Sequence, residues 1–235
     1  EQVYELGELI GSGSYGLIFK ALRKSDQQVV AIKCFVSGEA ISKNFLNEVK
    51  LIFRIQHPHV VKALDIFFAN RTYALVFEFM NGGDLRHHME QGPMSMSQSL
   101  MVASQIASGL QQIHQQGIIH RDLKPENILV HQENDQITYK VADFNISRFA
   151  PDQKLRATDR GSPIYMAPEQ FYTDYDQRAD FYALGIILFE LLTGDIPFKG
   201  PYKQPCVTLT LALFGWHISN FMDLCRSFLR ALGVF

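Results

Sequence analysis

The first third of the chain reads as short strands interrupted once. Residues 3–10 and 17–22 flank a glycine-rich turn, and residues 29–36 form a β-branched run that extends the same sheet. The period then changes. Over residues 41–55, Phe45, Glu48, Ile52 and Ile55 fall on one helical face, before residues 63–68 and 73–79 resume strand character. Asn81-Gly82-Gly83 breaks the pattern. Beyond it Ala103, Ile106, Leu110 and Ile113 recur at three and four, which predicts an amphipathic helix ending at Gly117. Residues 183–192 are apolar on every side, the mark of a fully buried helix. The simplest architecture is α+β and two-lobed. Residues 1–79 supply an antiparallel sheet plus one helix, residues 80–235 a mainly helical lobe, with a hinge near residues 78–83.

Composition narrows the classes. The 235 residues suffice for one large domain or two small lobes sharing a cleft, and 47% hydrophobic with 20% charged residues is ordinary for a globular chain. A net charge of −2 offers no global field for nucleic acid or an anionic membrane, so any charged partner must be read by local patches. The longest apolar stretches, residues 183–192 and 207–216, are about half the ~20 residues that a membrane span needs. The N-terminus has no secretory h-region, and without an initial Met the chain reads as a piece of something longer. Cys34, Cys206 and Cys225 lack C-x-x-C spacing. That gives neither a disulfide framework nor a zinc site and suits a reducing, cytoplasmic setting, with a nuclear one left open.

Three constellations carry candidate chemistry. The first is Gly11-Ser12-Gly13-Ser14-Tyr15-Gly16 between two strands. A glycine turn that opened a helix would suggest a dinucleotide fold; followed by a strand it reads as a hairpin lid whose N–H groups can approach phosphates. By itself it is equally a plain turn. The second is Lys33, alone in the apolar strand Val30-Ala31-Ile32-Lys33, with Glu48 inside an apolar helical stripe. Lys33 could simply point to solvent at a strand end, but a buried carboxylate needs a partner and Lys33 is the obvious one. The third is His120-Arg121-Asp122-Leu123-Lys124-Pro125-Glu126-Asn127, which sets a carboxylate, an ammonium and a carboxamide directly after a helix, with Asp143-Phe144-Asn145 following a further strand.

With these motifs in this order, the chain resembles a eukaryotic protein kinase of the serine/threonine kind from Val3 to about Phe198, including Ala167-Pro168-Glu169 and Asp180 before the buried helix. Asn81-Gly82-Gly83-Asp84-Leu85 and the run from Gly161 to Glu169 are similar to Unc-51-like and calcium/calmodulin-type kinases. The resemblance implies ATP and Mg²⁺ as cofactors and Ser/Thr-bearing proteins as substrates. It implies Asp122 as the base toward the substrate hydroxyl, Lys124 beside the γ-phosphate, and Lys33 with Glu48 gripping the α- and β-phosphates. Asn127 and Asp143 would hold the metal. Ile10, Gly11, Ser12, Gly13, Ser14, Tyr15 and Gly16 would cover the nucleotide. Ile18, Ala31 and Leu129 would wall the adenine, though a general core role suits these three as well. Phe77 would limit the back of the pocket, Glu78 and Met80 would offer backbone groups to the adenine edge, and Asp84 would reach the ribose. Thr158 stands where a regulatory phosphate could pair with Arg121, or it is an unmodified loop threonine. Asp84, Glu126 and Glu190 match positions that read basic residues in substrates, although Glu190 could equally be structural. Regulatory partners are not legible.

Two departures stand out. Asn145 replaces the usual glycine of its triplet; Asn tolerates left-handed φ best after Gly, so the expected damage is partial. After Pro197-Phe198 the helical lobe reads as abridged, and Glu169 has no evident arginine partner. These two features raise an alternative, a weak or inactive pseudokinase acting as a nucleotide-binding scaffold. The retained set of Lys33, Glu48, Asp122, Asn127 and Asp143 favours activity.

Overall fold

A computed structural model describes residues 3–13, 16–35, 43–69, 72–143, 163–171 and 175–197. Five strands, β1 (Tyr4–Gly13), β2 (Gly16–Arg23), β3 (Gln28–Cys34), β4 (Ala63–Ala69) and β5 (Thr72–Glu78), form one antiparallel sheet in the order β1-β2-β3-β5-β4. Helix α1 (Lys43–Arg54) lies between β3 and β4 in the chain. The helical part follows with α2 (Leu85–Met89), α3 (Met96–Gln115) and α4 (Arg178–Thr193), and a second small sheet pairs β6 (Ile128–Glu133) with β7 (Gln136–Val141). Among the described residues no helix is long and apolar enough to cross a membrane.

Period two in β3 decides where the site goes. Val30 and Ile32 point to one face and are fully buried with Ala21, Ala74 and Val76. Ala31 and Lys33 point to the other, with Ile18 directly opposite Lys33 and Phe77 opposite Ala31. One face is thus an apolar core and the other lines a cleft.

The largest buried cluster joins the two lobes. It takes in Val49, Ile52 and Ile55 from around α1, Leu75 from β5, and Val102, Ile106, Leu110 and Ile113 along α3, together with Ile187 and Leu191 of α4. Helix α3 begins at a reciprocal cap, in which Ser95 accepts from the Gln98 backbone and Gln98 reaches back to the Ser95 N–H. Helix α4 is buried on most sides, as its composition predicts, but starts earlier than expected, so that Asp180 sits in its first turn. Strand β6 and helix α2 carried no clear periodic signal and were not anticipated. The expected abridged tail lies outside the described residues. Glu169 is exposed, so the penalty expected for a buried unpaired carboxylate does not arise there.

Gly109, in the middle of α3, is where α3 presses against the segment before β4: a Cβ there would lie 2.3 Å from the His59 carbonyl oxygen. Helix propensity alone favours Ala over Gly by ~1 kcal/mol. The contact should reverse that sign. Gly109→Ala is expected to cost about 1–3 kcal/mol through overpacking, read as a lowered thermal midpoint; an unchanged or raised midpoint would show that the two segments can separate freely.

Candidate active site

The loop after α3 is held from below by one carboxylate. Asp180, 1% exposed, accepts from the His120 N–H and the Arg121 N–H, both at 2.8 Å, and meets His114 Nε2 at 2.7 Å. A buried carboxylate is tolerated when donors surround it. Here the donors are the backbone of the loop, so satisfying Asp180 also bends that loop, and Arg121 adopts a left-handed φ of 71°. His120 in turn meets the Ala142 carbonyl at 2.7 Å through Nε2, fixing the loop to the end of β7.

Asp122 follows with one oxygen already assigned. Lys124 Nζ donates to its Oδ2 at 3.0 Å, and Asn127 Nδ2 donates to the same oxygen at 3.2 Å and to the Asp122 carbonyl at 2.6 Å. Oδ1 is left as the acceptor for an incoming hydroxyl. A 3₁₀ turn at Pro125–Asn127 brings Asn127 round, and the Ala142 N–H donates to the Asn127 carbonyl at 2.9 Å. Asn127 uses its amide nitrogen on Asp122, so its Oδ1 has no protein donor among the described residues.

Across the cleft Lys33 is 8% exposed and its Nζ lies 2.5 Å from Asp143 Oδ1. The partner anticipated for Lys33, Glu48, lies in α1 with its side chain outside the described residues. Asp143 takes a left-handed φ of 54°, which aims its carboxylate back toward Lys33. Of the expected metal pair, Asp143 lines the cavity, while Asn127 is tied through its carbonyl to Ala142, the residue before Asp143. One carboxylate and one carboxamide suit Mg²⁺, which takes few protein ligands and fills its shell with water and phosphate oxygens.

Between Lys33 and the hinge lies a cavity of about 560 Å³ lined by Ile10, Gly11, Ser12, Gly16, Ile18, Ala31, Lys33, Phe77, Glu78, Met80, Asp84, Leu129 and Asp143. That size suits a nucleotide. Thirteen expected residues thus meet; Val61, Phe79, Asn81, Gly83 and Ala142 join them without having been named for this cavity, as does Glu126, which was expected at the substrate instead. Val61, Met80 and Ala142 form a small buried cluster against Phe77 and Leu129, which makes the inner wall apolar. Gly13 ends β1, while Ser14 and Tyr15 lie outside the described residues. The glycine turn does have a stereochemical reason to be glycine. Gly16 has a φ of 146° and a Cβ on it would lie 2.0 Å from the Cys34 carbonyl, so β2 can only enter the sheet here without a side chain.

The hinge is pinned on its solvent side. Asn81 exchanges two hydrogen bonds with the Gln132 backbone at 2.9 and 2.8 Å, and the Gly82 N–H donates to the Val130 carbonyl at 2.9 Å. Glu78 takes both of its oxygens to Lys140 Nζ, at 2.9 and 2.8 Å, while accepting the Lys62 N–H at 2.8 Å. Its side chain thus serves the hinge, and its N–H is engaged too, donating to the Lys62 carbonyl at 3.0 Å. Asp84 lines the cavity but its Oδ1 caps α2, accepting from the His87 N–H at 2.9 Å.

The acids expected to read basic substrates are engaged inside the chain. Arg86 reaches Glu126 Oε1 at 3.0 Å and Glu190 Oε1 at 2.6 Å, and donates to the Tyr165 hydroxyl, which donates on to Glu190 Oε2 at 2.6 Å. Partial burial works against the charge of Arg86, yet Glu190 and Glu126 outweigh it and hold the guanidinium above its ordinary pKa. Burial first, and then Glu190, likewise push the Tyr165 hydroxyl up. Arg86 was not singled out from the sequence. Thr158 and Asn145 lie outside the described residues.

Comparison with known proteins agrees with this geometry. The family model described as "Protein kinase domain" matches residues 4–213. Serine/threonine-protein kinase ULK3 of Homo sapiens is 38% identical over 201 residues, covering 82% of this chain and 42% of that protein. Serine/threonine-protein kinase ATG1c of Arabidopsis thaliana is 35% identical over 202 residues, covering 84% of the chain and 28% of the relative. Serine/threonine-protein kinase ATG1a of the same plant is 34% identical over 241 residues, covering 97% and 38%. The chain thus spans less than half the length of each of these relatives. It belongs to the protein kinase domain family.

Proposed function

We propose that this chain transfers the γ-phosphoryl group of ATP to a serine or threonine hydroxyl of a protein. The observation that carries the reading is that Asp122, Lys124 and Asn127 hydrogen-bond to one another on one loop, and that the Asn127 carbonyl ties this loop to Ala142, next to the Lys33–Asp143 pair that lines a nucleotide-sized cavity. Relatives named as serine/threonine-protein kinases support it. The alternative of an inactive scaffold finds no support among them.

Bound ATP–Mg²⁺ supplies the phosphoryl donor and neutralises the charge on its own phosphates. Lys33, paired with Asp143 in a buried setting, presents an ammonium to the phosphate chain. Asn127 and Asp143 offer the metal its protein oxygens. Asp122, its Oδ2 occupied by Lys124 and Asn127, directs Oδ1 to the hydroxyl, orients it and takes up its proton. Lys124, on the same loop, stands where charge gathers on the transferring group. The finer expectation of a basic substrate preference rested on Asp84, Glu126 and Glu190, and all three are engaged within the chain. Substrate class is taken up below.

Regulation is part of the same proposal. Arg121 Nε is buried without a hydrogen-bond partner among the described residues, and its guanidinium lies over the Tyr175 ring at 5.6 Å. A phosphate on Thr158 would give that cation a bidentate partner.

Three measurements test this reading. Lys33→Met and Asp122→Asn should each lower transfer to a generic protein substrate by about 10²-fold or more while leaving the fold intact; turnover near that of the parent in either would sink the assignment. Mass spectrometry of active protein should find phosphate on Thr158, and Thr158→Ala should lose about tenfold in rate; an unmodified Thr158 with an inert substitution would count decisively against the switch. At Asn145, Gly should raise transfer by a small factor and Val should nearly abolish it through backbone strain, with ATP affinity little changed in the Gly variant. Equal rates for Val, Asn and Gly would make backbone conformation at that position irrelevant.

A further inference from the structure

Glu126 and Glu190 come from the catalytic loop and from α4, far apart in the chain, and a guanidinium of the chain itself joins them. The cluster lies beside the transfer site. Glu126 follows Asp122 on the same loop and lines the nucleotide cavity, while Tyr165 shares a small hollow with Asp122. A protein segment that delivers a hydroxyl to Asp122 must therefore cross this cluster. It is also reachable: the side chains of Arg86 and Glu126 are 31% and 43% exposed, whereas Glu190 is 9% exposed at the bottom. Two carboxylates and a tyrosine hydroxyl around one planar cation describe a guanidinium-binding subsite. Its guest is already present.

We propose that Arg86 fills, from within the chain, an acidic substrate subsite next to the catalytic loop, and so sets this kinase's preference away from arginine-bearing substrates. The inference rests on the kinase reading above and deepens it by naming a substrate class. With Arg86 in place, an incoming arginine meets a second cation above carboxylates that are already paired, and like-charge juxtaposition suppresses that class of partner. Neutral or apolar side chains meet no such opposition. Without Arg86, two carboxylates would be left uncompensated, one of them buried, and an arginine side chain from the substrate would be the natural replacement.

Helix α2 gives Arg86 its position. Asp84 caps the helix and the buried Leu85 anchors its first turn, so the next side chain projects over Glu126 and Glu190. Arg86 touches neither Asp122 nor Asp143 in this arrangement, so it acts as a specificity determinant and not as a catalytic residue.

The test is a peptide array in which arginine is moved through each position near a fixed serine, assayed with wild type, Arg86→Ala, and Arg86→Ala combined with Glu190→Gln. Wild type should show no position at which Arg is favoured over Ala. Arg86→Ala should gain about tenfold or more in kcat/KM for Arg at the position facing the cluster, with turnover of Arg-free peptides within about twofold of wild type. Adding Glu190→Gln should erase that gain. A tenfold wild-type preference for Arg would overturn the inference by itself, even if the variants fail to fold. So would an Arg86→Ala profile that rises or falls equally for all peptides. For a poorly folding Arg86→Ala, millimolar methylguanidinium should raise its thermal midpoint where ethylammonium does not; equal effects would also overturn it. Phosphorylation with the wrong selectivity therefore sinks this inference alone, whereas no transfer to any peptide by wild type removes the kinase reading and this one with it.

Discussion

Burying a carboxylate costs several kcal/mol unless donors replace its water, and the site turns on how Asp180 meets that cost. Its donors are two consecutive backbone N–H groups of the catalytic loop and the ring of His114. Those N–H groups can both reach it only if the chain reverses at Arg121, which is why a non-glycine residue holds a left-handed φ there. The reversal leads directly into Asp122, whose Oδ2 is taken by Lys124 and Asn127. It also sends Pro125–Asn127 into a tight turn whose carbonyl meets the Ala142 N–H. From one satisfied charge at the start of α4, the loop, the metal end of the cleft and the end of β7 follow in sequence.

The lobes are joined by the same economy. β7 pairs with β6 inside the helical lobe, yet the Val141 N–H donates to His59 and the Val61 N–H donates to Val141, at 3.0 and 2.9 Å. The β6–β7 hairpin is thus stitched to the sheet lobe just ahead of β4, and α3 packs so closely on the same segment that Gly109 has no room for a side chain. On the other side of the cavity, Asn81 and Gly82 bind the hinge to β6. The hairpin is a common floor to which both walls are tied, and the apolar trio Val61, Met80 and Ala142 marks where they meet.

Much of this was legible in the sequence because it is local. The strands around the glycine turn, the stripe of α3 and the all-round apolar α4 each announce themselves by period, and the catalytic residues lie in short motifs. What was missed is short or distant. β6 and α2 carry too few residues for a period to show. The pairing of Lys33 with Asp143, of Glu78 with Lys140 and of Arg86 with Glu190 each spans most of a lobe or more in sequence, so spacing holds no trace of it. Arg86 shows the limit most clearly. In the sequence it is one polar residue on a short helix; only the fold brings α2, the catalytic loop and α4 to the same point.

That distribution of charge also determines what binding must do. Lys33 is 8% exposed, and Asp143 already supplies it with a carboxylate partner at 2.5 Å in the absence of phosphate. A phosphate chain then arrives at a cation whose desolvation has already been met, and binding exchanges or shares a partner in place of burying a bare charge. The same holds for Lys124 on Asp122, where the paired lysine fixes the carboxylate before any hydroxyl comes near. Among the described site residues Arg121 is the exception, a cation with a ring beneath it and no carboxylate. A site whose working charges are paired in advance needs little reorganisation when its ligand enters. Arg121 is then the place in the described site where an added phosphate would change the balance most.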